Sequence, residues 1–346
     1  MKRAILVHNP TAGDGKHSAA ALAALLGEAG YRVKHVHAKK RKQLRTLRDA
    51  RVLIVAAGGD GTVHRVMKQV VGRGKTVALL PLGTANNVAR SLGIEGSPRE
   101  IIAGLSRGRR VAIDVGVAKG PWGKRVFLEG AGGGLFADVM AALDSGRGKN
   151  GRRRTNGEEK EVIRFSRHAG SLQPALHALA EALPEFKVKA FEVTADGRRI
   201  AGDFLLLEAM NMPYLGPNLH LGPDADPGDG MLDFVLLGEA QRREFAGYLR
   251  HRLDGGRDAP VLTVMKGKRL RFVWRGAKLH IDDKIVPIAK ENGHGPAEIE
   301  IKVKPRAMEF LIPRYKGSGR PRKRGSERQS RIGSRRNSLG RTSPPS

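Results

Sequence analysis

Over the first hundred residues, short apolar runs alternate with helical patterns, and three of the four runs end in a glycine-rich turn. "RAILVHN" (3–9), "YRVKHVH" (31–37), "RVLIVAA" (51–57) and "TVALLP" (76–81) read as buried strands. Between them, "SAAALAALLGEAG" (18–30), the basic "RKQLRTLRD" (41–49) and residues 62–71 carry helical spacing, with Ser18 at one helix start and Gly30 at its end. Strand and helix alternating over short connections predict a parallel sheet with helices on both faces.

Past Pro98 the rhythm changes. One more helical pattern, "PREIIAGLSRG", precedes "RRVAIDVGVAKG", "RVFLEGAG", "KVKAFEVTADGRRIAG", "DFLLLEAMN" and "MLDFVLLG", β-like runs broken by Gly, Asp-Gly or Pro turns. These predict an all-β, sandwich-like second domain. The expected organisation is an α/β domain over 1–110, a β-rich domain over 111–314 and a tail over 315–346. Within the second domain, 145–160 ("SGRGKNGRRRTNGEEK") has no apolar face and reads as a mobile loop. The tail is basic, Ser/Pro-rich and too poor in apolar residues to fold alone.

Composition narrows the function. The chain of 346 residues has no cysteine, which removes disulfides, zinc-thiolate sites and cysteine nucleophiles. The apolar run after Met1 is too short for a signal-peptide core, and no 18-residue apolar stretch exists, so a cytoplasmic protein is expected. A formal charge of +29 attracts polyanions. Ten of the basic residues fall in the tail against Glu327 alone. The basic surfaces read either as solvated faces or as a means of adhering peripherally to an anionic membrane, such as the inner face of the cell membrane. Nucleic acid binding is confined to the tail, which has no aromatic residue beyond Tyr315 for base stacking.

The chemistry concentrates at strand ends. "GGDGT" (58–62), "NPTAGDGKHS" (9–18) and "PLGTANNVARSLG" (81–93) each follow a strand and start a helix, placing three loops at one sheet edge. Glycine lets backbone approach a phosphate, and the following helix offers its positive end. A carboxylate there suits magnesium binding or proton acceptance, or else Asp60 is a helix cap. Neither the G-x-x-x-x-G-K-[ST] loop nor the G-x-G-x-x-G fingerprint is present, and no G-x-S-x-G elbow occurs. His8, His35, His37 and His64 lie near this edge without metal-ligand spacing, and His251, His280 and His294 show no pairing in sequence.

In their order, NPxxG, GGDGT, PLGTANN and then "GPDADPGDGMLDFVLL" resemble the diacylglycerol kinase catalytic-domain family, bacterial lipid kinases related to sphingosine kinases and distantly to NAD kinases. The resemblance spans about 3–313. It implies an ATP- and Mg²⁺-dependent kinase for a hydroxyl of diacylglycerol or a related lipid, with ATP in the cleft between domains. Carried over by position, nucleotide contacts fall on Asn9, Thr11, Gly58, Gly59, Asp60, Gly61, Thr62, Val63, His64, Gly83, Thr84 and Asn86, with Asp60 catalytic. The D-G-x-L-D segment implies a structural magnesium site on Asp229, with carbonyls of Asp226 and Met231, unless this is only a polar turn. The sequence departs from the family in three places: Lys284 stands where a glutamate serves as proposed base, Phe136 where an aspartate is usual, and Asn87 where aspartate is frequent. Asp60, Asp282, Asp283 or Glu129 could supply the base. The alternatives are a non-catalytic nucleotide- or lipid-binding relative and a kinase for a soluble hydroxyl.

Overall fold

The structure is a computed structural model that describes residues 1–13, 15–147, 171–274, 278–286 and 297–315. The expected mobile loop falls, beyond Arg147, outside the described residues, as do the internal pieces 275–277 and 287–296 and the tail from 316.

In chain order the first part comprises β1 (Lys2–His8), α1 (Ala19–Glu28), β2 (Tyr31–His37), α2 (Arg41–Arg45), β3 (Leu53–Gly58), α3 (Asp60–Val70), β4 (Thr76–Pro81), α4 (Asn87–Ser91) and α5 (Pro98–Leu105). Local signals set the helix ends. Ser18 Oγ accepts the Ala21 N–H at the start of α1, and Ser97 with Glu100 forms a capping box on α5, whose first residue is Pro98. The strands β4-β3-β1-β2 lie side by side, all parallel, and bury nearly continuous apolar runs such as Ile54 to Ala57.

The second part comprises β5 (Arg109–Gly120), β6 (Gly123–Phe127), β7 (Gly130–Gly134), α6 (Leu135–Arg147), α7 (Gln173–Ala182), β8 (Lys189–Ala195), β9 (Arg198–Met210), β10 (Tyr214–Leu215), β11 (Leu219–His220) and β12 (Leu232–Gly238). It closes with α8 (Arg242–Leu253), β13 (Thr263–Gly267), β14 (Arg269–Trp274), β15 (Leu279–Ile281), β16 (Lys284–Ile285) and β17 (Ala297–Ile312). The β pairings here are antiparallel, as the turn-punctuated sequence implied. Strand β12 shows the layering: Leu232, Phe234 and Leu236 face one core with Phe127 and Phe272, whereas Val235 and Leu237 face another. That second core includes Leu176 of α7 and Phe245 and Leu249 of α8, so helices cover a face of the β architecture that the sequence pattern left uncovered.

The two parts are joined by more than a linker. β17 runs antiparallel to β5 along most of its length, then pairs in parallel with β4 through Glu309 and Phe310. A register shift between Lys304 and Met308 makes this turn, with Arg306 at positive φ (49°) and its N–H donated to Asp114 Oδ1 at 2.7 Å. Phe310, Met308 and Ile312 thus complete the core of the first domain from the far end of the described chain.

Candidate active site between the two domains

The parallel order puts the carboxyl ends of β1, β3 and β4 next to one another, with His8 beside Ala57 and Gly58 beside Pro81. The three motif loops therefore share one edge, as their order in sequence implied. Glycine there serves packing first. A Cβ on Gly83 would stand 2.4 Å from Gly59 Cα, and one on Gly58 would stand 2.4 Å from Thr62 Oγ1. Gly59 and Gly83 let the GGDGT and PLGT loops touch backbone to backbone, while a Cβ on Gly61 would meet only ordinary contacts with Arg65 and Asp283.

Several loop side chains brace their own loops. Asn86, in the left-handed region (φ 49°), accepts from Gly83 N–H at 2.9 Å and donates to Gly83 O at 2.6 Å. Asn9 Oδ1 accepts from the Thr11 hydroxyl at 3.1 Å, and Lys39 donates to that hydroxyl at 2.9 Å. Thr62 and Val63 are buried within the first turns of α3, and Thr84 is exposed at the loop tip. Asp60 Oδ1 accepts the Val88 N–H at 3.0 Å, fastening α3 to α4. The capping role weighed for Asp60 is real, but it acts on the neighbouring helix and occupies one oxygen.

Around α3 the two domains bring together a buried acid cluster. His64, 3% exposed, holds Nε2 at 3.1 Å from Glu129 Oε1 and 3.5 Å from Asp282 Oδ2, and Nδ1 at 3.5 Å from Asp283 Oδ1. Asn87 Nδ2 donates to Glu129 Oε2 at 2.7 Å and to Gly216 O at 3.0 Å. The carboxylate that the sequence lacks at position 87 is thus delivered to the same place by Glu129. Asp282, at positive φ (51°) in the β15–β16 turn, accepts from Leu128 and Glu129 N–H and so fixes Glu129's backbone. That turn is itself tied to the core: His280 Nδ1 lies 3.0 Å from Asp282 O, and its Nε2 lies 2.8 Å from Glu208 Oε2, with both side chains fully buried.

Burial sets the charge states. Desolvation raises Glu129 to about 7, helped by the charge of Asp60 and opposed by His64. Desolvation disfavours charge on His64, but Asp282, Asp283 and Glu129 outweigh it and hold the imidazole well above its ordinary range. Desolvation likewise raises Asp282 against the pull of His64. Asp283 resists burial and is lowered, because His64 and Lys284 favour its ionised form. Lys284 Nζ lies 3.3 Å from Asp283 Oδ2 and is over half exposed, at the wall of a cleft of about 340 Å³. Lys68, Lys124 and Arg125 line the same cleft, so four cations face a space beside the acid cluster. A larger cavity of about 640 Å³ opens among the starts of β1, β3 and β4, at the opposite sheet edge from the motif loops.

Phe136 explains the second departure. It is buried edge-on against His280, with ring centroids 4.7 Å apart, and leaves no room for a Cβ at Gly216. An apolar plug thus occupies that position. His280 and Glu208, 72 residues apart, form a pair that no local pattern signals.

Residues 3–118 match the diacylglycerol kinase catalytic domain, and residues 157–312 match the YegS C-terminal NAD kinase beta sandwich-like domain. The chain is 30% identical over 267 residues to a diacylglycerol kinase of Bacillus subtilis, covering 71% of this chain and 77% of that relative. The chain belongs to the diacylglycerol kinase family. A second relative, named a probable lipid kinase YegS-like, from Pseudomonas aeruginosa, is 32% identical over 223 residues, 64% of each chain. A solved diacylglycerol kinase structure from Bacillus anthracis shares the fold, with a TM-score of 0.61 at 18% identity, over 90% of this chain and 96% of that one. The α/β domain and the β-sandwich-like domain are therefore those of this kinase fold. Membership of the diacylglycerol kinase family supports a lipid kinase, hence a phosphotransferase, and implies ATP use. Among the described residues, no helix is long and apolar enough to cross a membrane.

Proposed function

We propose that this protein transfers the γ-phosphoryl group of ATP to a hydroxyl of diacylglycerol or a closely related lipid, in the cleft between its domains. The observation that carries this reading is the acid cluster of Glu129, Asp282 and Asp283 around His64, with the charge of Asp60 acting on Glu129, beside a cleft in which Asp282 and Asp283 meet four cations. ATP and Mg²⁺, when bound, supply the phosphoryl group and neutralise its charge.

The chain's own residues divide the remaining work. Lys68, Lys124, Arg125 and Lys284 offer charge to phosphate oxygens, which suits a transfer dominated by positioning and neutralisation. Asp60 has its second oxygen to engage magnesium, since one or two protein carboxylates commonly suffice beside substrate phosphates. All four candidate bases have partners: Asp282 accepts backbone N–H groups, Asp60 holds α4, Glu129 lies against His64 and accepts from Asn87, and Asp283 is held ionised and weakly basic, so proton affinity separates them. Glu129, raised to about 7, is the carboxylate whose proton affinity matches general-base work near neutrality. It takes the role that Lys284 cannot fill.

The basic surface has a place in the same reading. Adhesion of a strongly cationic protein to anionic lipid, at about 1 kcal/mol for each basic residue near the surface, brings the cleft to a substrate that never leaves the membrane. The test is ATP consumption by the purified protein with Mg²⁺ and diacylglycerol in mixed micelles, compared with glycerol as a soluble acceptor. Turnover should depend on diacylglycerol and fall about 100-fold or more in Asp60→Asn. Turnover with glycerol alone would reassign the acceptor, and undiminished turnover in Asp60→Asn would remove that residue from the chemistry.

A further inference from the structure

The segment expected to hold a structural magnesium ion contains an ammonium group. Lys266, on β13, stands directly opposite Asp233 of β12 and reaches into the 224–230 turn. Its Nζ donates to Asp229 Oδ2 at 2.7 Å and to Asp224 O at 3.2 Å, and lies 3.7 Å from Asp233 Oδ2. Three oxygens from three residues thus converge on one nitrogen.

The remaining donors of the turn are spent on the backbone. Asp229 Oδ1 accepts the Met231 N–H at 2.9 Å, Asp226 Oδ1 accepts the Gly228 N–H at 2.9 Å, and Asp226 O accepts the Asp229 N–H at 3.3 Å. From the other side, Asp114 of β5 accepts the Gly230 N–H at 2.7 Å, and its own N–H is donated to Pro227 O. Both side-chain oxygens of Asp229 and the Asp226 carbonyl are therefore already engaged, and the Lys266 ammonium bonded to Asp229 Oδ2 would repel a second cation there. These residues do not fit the magnesium site that the resemblance implied.

We infer that Lys266 is the resident cation of this turn, and that the second domain folds without a structural divalent ion. The geometry satisfies the chemical need a metal would meet: a buried carboxylate, Asp233, a second carboxylate, Asp229, and the Asp224 carbonyl are drawn together by one positive charge. A covalently attached cation is always present at full occupancy, so it stabilises the turn independently of magnesium concentration, unlike a bound ion.

This claim is independent of the kinase reading and is tested without nucleotide or lipid. Thermal unfolding of the full chain should be the same in EDTA and in millimolar MgCl₂, and Mn²⁺ binding followed by its own paramagnetic resonance should find no site that Asp229→Asn removes. Lys266→Gln should lower the melting temperature and acquire a magnesium-dependent rise of several degrees, while Lys266→Arg should stay insensitive to magnesium. A magnesium-dependent rise in the natural protein that Asp229→Asn abolishes would overturn the inference. If Lys266→Gln does not fold, the measurements on the natural protein and on Asp229→Asn decide alone.

Discussion

A carboxyl group that is enclosed by protein, faces a second carboxylate on Asp60 and still touches an imidazole has competing claims on its proton. For Glu129 desolvation wins, and its proton affinity settles near neutrality. The sign of the consequence is fixed: only deprotonated Glu129 accepts a proton, so turnover should rise as pH increases through about 7 and then level. Glu129→Gln keeps the hydrogen-bonding shape toward Asn87 but abolishes the base, and should lower kcat by about 100- to 10,000-fold while erasing that rising limb. A pH-rate profile of natural and substituted protein checks this; an unchanged limb in Glu129→Gln would assign the proton elsewhere. His64 enters as a positioning group, since its raised proton affinity keeps a positive charge between Glu129, Asp282 and Asp283.

At the level of loops and strands, two glycines decide how closely the GGDGT and PLGT loops pack. Gly83→Ala places a methyl group 2.4 Å from the Gly59 backbone, and backbone cannot swing aside as a side chain can. The cost should be about 1–3 kcal/mol, as for overpacking a core, read as a lowered melting temperature with weakened ATP binding. An unaltered melting temperature would show that the loops stand further apart. This element was readable in advance only in part. The alternation of apolar runs with helical patterns gave the parallel sheet, and the strand-end glycines gave the shared edge, because both are local patterns with a fixed period. What those glycines do was not readable, because Gly59 and Gly83 meet only after folding. The same holds for His280 with Glu208 and for Lys266 with Asp229, pairs joined by sheet registers that no window of sequence contains. The helices covering the second domain were missed for a related reason: α7 and α8 are separated by five strands, so no alternation announced them.

The whole molecule is held as one piece by β17, which leaves the second domain at the Arg306 bulge and ends as a strand of the first. The acid cluster inherits that arrangement, with His64, Asp60 and Asn87 from one domain and Glu129, Asp282 and Asp283 from the other. A net charge of +29 surrounds it, and exposed charges are screened beyond about 8 Å at physiological salt. Association with anionic vesicles should therefore weaken steeply as salt rises, whereas neutral vesicles should show little salt dependence. The measurement that tests the account most directly follows labelled γ-phosphate from ATP to diacylglycerol held in anionic vesicles, with the soluble and lipid phases counted separately. The account predicts label in the lipid phase, accumulating faster at low salt and absent with Asp60→Asn. Label that stays in the aqueous phase while ATP still binds would contradict it and leave a nucleotide-binding relative of the lipid kinases.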